Sequence, residues 1–191
     1  MNGRRAAALA GHTGDDATAR SALASDEPAV RAVALGALER LGALDDAMVT
    51  AALVDESPVV RRRACELAAS RPDVSLLGAL DDADPGVVEV AAFACGERVA
   101  ASEAVLSRLV ELATDHADAL VRESAVAALG ALGDPIGLPA ILVATHDKPA
   151  VRRRAVIALA PFDGPEVDAA LATAAGDRDW QVRQAAEDLS D

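Results

Sequence analysis

A valine followed four residues later by an alanine recurs six times in this chain, as Val30/Ala34, Val60/Ala64, Val87/Ala91, Val121/Ala125, Val151/Ala155 and Val182/Ala186. The valines lie 30, 27, 34, 30 and 31 residues apart. In every copy but one the residue after the valine is an arginine (Arg31, Arg61, Arg122, Arg152, Arg183); Val88 is the departure. A period near 30 residues constrains the fold more than any isolated motif, because it means one supersecondary unit copied in series. The agreement is closest between DESPVVRRRACELA at 55–68 and DKPAVRRRAVIALA at 147–160.

Within each copy an apolar residue returns seven or eight positions after the valine: Leu38, Leu67, Cys95, Leu129, Leu159 and Leu189. Positions zero, four and seven or eight share one side of a helix. Proline stands two before the valine as Pro28, Pro58, Pro85 and Pro149, where a first helical turn tolerates its missing N–H. Ser57, Asp84, Asp118 and Asp179 precede that position as N-cap residues, and Asp26 and Asp147 lie one residue earlier still. Second helices are expected near 14–24, 45–54, 73–80, 102–115, 134–145 and 165–175, the best patterned carrying Val105, Leu109 and Leu112. Gly133-Asp134-Pro135 and Gly164-Pro165 mark junctions.

Each unit is therefore a helix A, a turn, and a helix B that opens with the valine phrase. No unit buries its apolar face alone, so neighbours must stack, and the alanine at plus four lets successive B helices approach closely. The chain is expected to be one domain over 1–191. Residues 1–13 would be a lone B helix of uncertain register, followed by units near 14–41, 42–71, 72–99, 100–132, 133–162 and 163–191.

Composition narrows what such an array can do. The chain has 191 residues with 31 acidic against 18 basic side chains, a net charge of −13, and only Trp180, Phe93 and Phe162 as aromatics. Proteins that hold nucleic acid neutralise phosphates with clustered Lys and Arg, so this balance argues against that class of partner. No segment approaches the ~20 apolar residues of a membrane helix, and none has the build of a signal peptide. A cytoplasmic location follows as the expectation. Arginine in place of lysine, with abundant Ala, Asp and Val, suggests a GC-rich bacterial source. Cys65 and Cys95 lack metal-pair spacing and read as buried free thiols.

The phrases DEPAVRAVALGAL, DALVRESAVAALGALGDP and DKPAVRRRAVIALA resemble the HEAT repeat, specifically the short subclass named after phycobilisome (PBS) lyases. The resemblance covers about residues 14–191. It implies an all-α, right-handed α-solenoid of HEAT-like helix pairs. It does not single out a function, since members include chromophore lyases, a protein hydroxylase, relatives of DNA glycosylases and pure scaffolds. The hydroxylase of the family binds iron through His-Glu pairs. Here His12, His116 and His146 are followed by Thr13, Ala117 and Asp147, so no metal or other cofactor is expected. His116 and His146 stand where other turns have Asp55, Asp82 and Asp177, and are expected to replace aspartate in turn hydrogen bonding.

The arginine after each valine sits about 50° from the centre of the buried face, at 100° per residue. From there it reaches a turn carboxylate such as Asp26, Asp55, Asp147 or Asp177. Arg31, Arg61, Arg122, Arg152 and Arg183 are thus expected to form a structural ladder, as the resemblance also implies. Positions plus two, three, six and ten should form the outward face of the B helices. That face carries Arg62, Arg63 and Glu66, then Glu89, Val90 and Phe93, then Glu123, then Arg153, Arg154 and Ile157. Two basic steps flank an acidic and apolar middle. Such a groove suits a protein or peptide, bound by a scaffold expected to be non-catalytic and monomeric. The alternatives are a bilin-lyase-type enzyme or accessory factor and, fitting less well, a glycosylase-like protein. Trp180, standing where other units have proline, is expected to close the last unit's core.

Overall fold

The computed structural model describes residues 2–189, so Met1, Ser190 and Asp191, the ends of the expected first and last units, lie outside the described residues. Among the described residues there are α-helices and two 3₁₀ turns and no strand. They run α1 (Gly3–Thr13), α2 (Asp16–Ala22), α3 (Pro28–Arg40), α4 (Asp46–Ala52), α5 (Pro58–Ala68), a 3₁₀ turn (Leu77–Asp81), α6 (Pro85–Gly96) and α7 (Glu103–Asp115). After these come α8 (Ala119–Leu132), a second 3₁₀ turn (Pro135–Gly137), α9 (Leu138–Ala144), α10 (Pro149–Ala158), α11 (Pro165–Ala174) and α12 (Trp180–Asp188).

The B helices are α3, α5, α6, α8, α10 and α12, and α1 is a B-type helix without an A partner, packed on α3 and α2. The A helix of the third unit departs from the pattern. In place of a helix over 73–80 there is only the 3₁₀ turn Leu77–Asp81. With just 27 residues between Val60 and Val87, this unit has too little chain for a full α-helical A element and uses a tighter turn. The chain forms two compact units, Met1–Val87 and Val88–Asp191, divided within α6.

Helix starts follow the sequence signals, with one exception. Pro28, Pro58, Pro149 and Pro165 open α3, α5, α10 and α11. Asp118 and Asp179 accept from the backbone N–H of Leu120 and Gln181, and Asp84 accepts from those of Gly86 and Val87. Ser57 occupies the expected N-cap position, but its side chain makes no cap bond. The Val60 N–H goes to the Ser57 carbonyl at 3.0 Å, and Asp55 accepts the Ser57 N–H at 2.8 Å.

The alanines four residues after each valine are all fully buried, as are the valines themselves. Their small size brings B helices close, and within the second unit glycine brings them closer still. A Cβ on Gly96 would lie 2.8 Å from Ala128 Cα, and one on Gly130 would lie 2.6 Å from Ala158 Cα. Between the A and B layers sit Leu35, Leu38, Leu76 and Leu80 in the first unit. Leu109, Leu112, Leu129, Ile141 and Leu159 do the same in the second. Each buried leucine contributes about 1.5–3 kcal/mol relative to exposure. The last core cluster gathers Val156, Ala174, Val182, Ala185 and Ala186. Trp180 is not part of it. At the first turn of α12 its side chain is directed outward and is 65% exposed, contrary to expectation.

Arginine rungs join successive turns. In the first unit Arg31 donates to Asp55 through Nη2 (2.7 Å) and Nε (2.9 Å), and Arg61 to Asp82 through Nε (2.6 Å) and Nη2 (2.8 Å). In the second, Arg122 pairs with Asp147 (2.6 and 2.8 Å) and Arg152 with Asp177 (2.9 and 2.8 Å). The remaining guanidinium nitrogen donates to a carbonyl of the arginine's own turn: Ser25, Asp55, His116 and Asp147 respectively. This fork-to-fork geometry holds the four carboxyls below the usual aspartate range, chiefly through the arginine hydrogen bonds. Arg183 keeps only the carbonyl half, to Asp177 O (2.7 Å) and Arg178 O (3.2 Å). Asp26, the other turn acid expected to take an arginine, lies exposed.

One rung lacks both partners. Val88 stands in the arginine position of α6, and His116 in the aspartate position of the following turn. His116 keeps the turn-forming half of the aspartate's work, because Nδ1 accepts the Asp118 N–H at 3.1 Å. His146 instead meets Thr145 Oγ1 at 2.8 Å, and the neighbouring Asp147 carries the rung.

Candidate functional site

In the second unit the outward face of the B helices forms a groove of about 400 Å³. Its floor is small because Ala127, Ala128 and Ala131 of α8 present only methyl groups. The Gly96–Ala128 contact draws α6 and α8 together beneath it. Phe93 of α6, 52% exposed, and Leu120 of α8, 63% exposed, form apolar walls. Large apolar side chains left in water beside a concavity mark a surface that gains by being covered.

The groove's charges are partly matched internally. Glu89 accepts from Ser124 Oγ at 3.2 Å, tying α6 to α8. Glu123 takes both Arg153 (4.0 Å) and Arg154 (3.7 Å) at its Oε1. The expected basic step of Arg153 and Arg154 is therefore folded back onto an acid and does not stand as open positive charge. Arg154 Nε is shielded from water and makes no hydrogen bond. Glu97, at the end of α6, stands exposed at the rim. Val90 is half-buried beside this face, and Ile157 is exposed on α10. A second depression of about 400 Å³ holds Ile157 with Arg153, Trp180 and Leu189.

Of the expected site residues in the first unit, Arg62 is exposed, while Arg63 pairs with Glu66 at 2.5 Å through its Nη1. Arg63 faces a separate groove of about 470 Å³ lined from three helices: Arg4, Ala8 and His12 of α1; Ala29, Ala32, Val33, Gly36 and Arg40 of α3; Val59 and Arg63 of α5. Among the described residues no three His, Cys, Asp or Glu side chains are placed to hold a metal ion. Among the described residues no helix is long and apolar enough to cross a membrane. Cys65 and Cys95 are buried, and burial pushes the Cys95 thiol up to about 11.

The sequence model for HEAT repeats matches residues 73–144 and 116–189, together more than half of the chain. The chain belongs to the HEAT-repeat family. No curated protein matches it. Solved structures similar to this HEAT-repeat chain include a designed armadillo repeat protein (TM-score 0.63, 20% identity, covering 90% of this chain and 96% of that one). Another designed armadillo repeat protein, in complex with the peptide (KR)4, covers 100% of this chain and 98% of its own at TM-score 0.62 and 18% identity. Human deoxyhypusine hydroxylase in complex with glycerol is similar at TM-score 0.52 and 21% identity, over 98% of this chain and 77% of that chain. At these identities the likeness shows the helical-repeat fold alone.

The residues read at positions plus two, three and six of the HEAT repeats leave out three lining features. Position plus ten places Arg40 in the first unit's groove and Glu97 and Ala131 in the second's. Arg4 and His12 come from the leading half-repeat, whose register the sequence leaves open by one residue. The position before the valine, held by Ala29, Val59 and Leu120, completes the walls.

Proposed function

We propose that this chain is a non-catalytic scaffold, built of a half-repeat and six HEAT repeats, whose B-helix faces bind a protein or peptide. Within the family we place it with the PBS-lyase-like subclass, on the Asp, Pro, Val-Arg and Ala-Leu-Gly phrase of its repeats; that placement carries no activity. The groove of the second unit carries the functional reading. An alanine floor flanked by exposed Phe93 and Leu120 offers a seat for one apolar side chain. Around it, Glu89, Glu97 and Glu123 outnumber Arg154 on the rim, which favours basic residues on either side of the inserted group. The designed armadillo neighbour in complex with the peptide (KR)4 is a precedent on the same kind of fold.

The test uses a labelled octapeptide alternating lysine and leucine, titrated by fluorescence anisotropy. Binding should weaken in Phe93→Ala, which removes a wall, and vanish in Ala127→Phe, which fills the floor. Arg178→Ala, exposed and outside the groove, serves as control. Phe93 contributes by apolar burial, so its loss should be felt equally at low and high salt. Retention of the peptide by Ala127→Phe would exclude the groove as the binding surface.

A further inference from the structure

We infer that the first unit carries a separate anion-recognising groove that takes a short acidic peptide segment through Arg40 and Arg63, with Arg4 and His12 at its rim. The inference shares with the proposed function the idea that B-helix faces bind peptides, but it rests on different residues. In a chain of net charge −13, the groove is lined by Arg4, Arg40 and Arg63 beside His12 and by no acidic side chain; Glu66, which pairs with Arg63, lies outside the lining. A local cationic concavity on an acidic protein focuses potential towards a ligand of opposite sign.

One glycine lies in the floor. A Cβ on Gly36 would lie 2.7 Å from Arg63 Nη2. This helical position has no positive φ that would demand glycine. What glycine supplies there is space, so that the Arg63 guanidinium can lie against α3 inside the groove. Gly11, outside the lining, lets α1 and α3 approach, since its Cβ would meet Ala37 Cα at 2.8 Å. Glu66 engages Arg63 only through Nη1, which holds the planar head in place while Nη2 faces Gly36. Arg40 has no ion pair among the described residues and stands exposed. Planar guanidiniums are suited to carboxylates, which they hold through paired hydrogen bonds.

The size and lining of the groove point to a short peptide. Its walls between the charges are Ala8, Ala29, Ala32, Val33 and Val59, which accept apolar side chains. No aromatic side chain lines it to stack on a base, as grooves for single-stranded nucleic acid commonly provide. A longer polyanion would also meet the repulsion of the acidic remainder of the protein. A segment with two or three carboxylates spaced by small apolar residues matches both kinds of lining.

The experiment titrates the full chain with three labelled probes: an octapeptide alternating glutamate and alanine, the lysine–leucine octapeptide, and an eight-nucleotide oligothymidylate. The acidic peptide should bind with affinity that falls as salt rises. Arg40→Ala and Arg63→Ala should each weaken it about tenfold, the loss of one charge-assisted contact. Gly36→Ala should weaken it by displacing Arg63. Arg40→Lys and Arg63→Lys keep the charge without the fork and should fall between. None of these changes should affect the lysine–leucine probe, so failure here is distinguishable from failure of the second unit's groove. Absence of acidic-peptide binding would overturn the inference, as would binding unchanged in the Arg40→Ala/Arg63→Ala double variant. Tighter binding of the oligothymidylate would replace the peptide with nucleic acid and overturn it equally.

Discussion

Removing the Arg61 side chain tests whether the rungs hold the array together. Arg61 makes two bonds to Asp82, at 2.6 and 2.8 Å, and two to the carbonyls of Asp55 and Glu56, at 2.9 and 3.1 Å. The side chains of Arg61 and Asp82 are only 16% and 9% exposed. An exposed ion pair contributes about 0–1 kcal/mol, whereas stripping one partner from a deeply buried pair costs about 3–5 kcal/mol. Asp82 would keep one bond, from the Asp84 N–H, and water can reach part of the vacated space. Arg61→Ala should therefore destabilise by about 2–3 kcal/mol, between the two limits. Arg62→Ala, one residue along and exposed, should cost no more than about 0.5 kcal/mol. Arg183 lacks the carboxylate half of the rung, so Arg183→Ala should cost less than Arg152→Ala. Urea unfolding at constant m-value gives the global difference. Hydrogen exchange gives its location, which matters because stability in repeat arrays is a nearest-neighbour property. Amides of α5 and the Leu77–Asp81 turn should lose protection first. Equal, small losses for Arg61→Ala and Arg62→Ala would refute the assignment of faces.

Three further outcomes are expected. Asp55, Asp82, Asp147 and Asp177 have carboxyls depressed in the folded state by their arginines. Their contribution is thus present above the unfolded value near ~4 and lost as pH falls below it through the folded values. Melting temperature should hold steady between about pH 7 and 5 and drop below about 4, and Asp82→Asn should be less stable at neutral pH but lose less on acidification. With its thiol pushed up to about 11 by burial, Cys95 should resist iodoacetamide in the native protein at mildly alkaline pH and react once unfolded, as peptide mapping would show. Gly130→Ala should destabilise by about 1–3 kcal/mol in thermal melts, since its Cβ would meet the Ala158 backbone, whereas Gly78→Ala, open on all sides, should be neutral or slightly stabilising.

The period of the valine–alanine phrase made the helix pairs legible, because a helix face repeated six times leaves little freedom in how its apolar side is covered. The arginine positions were legible for the same reason. Their partners were only partly so: Arg61 pairs with Asp82 of the following turn, as Arg31 does with Asp55, yet Asp82 is not among the acids expected from sequence to form the ladder. Side chains that act across long stretches of chain escaped the pattern. Arg71, for example, spans Glu39 and Asp46 in the first unit, tying turns through residues with no repeat signature. The outward face was harder to read because burial does not dictate its composition. Arg153 and Arg154 look like open positive charge in sequence, yet Glu123, one repeat earlier at plus two, takes both. Trp180 misled by type: a large apolar residue suggests a core, but the first turn of α12 points it into solvent.

The rungs also have a bearing on how such a chain can change in length over evolution. Each joins an arginine to an aspartate 24, 21, 25 or 25 residues further on, so the segment between must bring its end back to a fixed point. Where residues are few, the A element tightens to a 3₁₀ turn, as at Leu77–Asp81. Val88 and His116, the pair with no rung, are separated by 28 residues, and the helix they enclose, α7, is among the longest A helices in the chain. This segment has no arginine rung to close, although Glu89 and Ser124 still join α6 to α8. Insertions, circularly permuted ends or a grafted loop between α6 and α7 would be tolerated there, while the same additions inside a tied repeat would pull a carboxylate off its arginine.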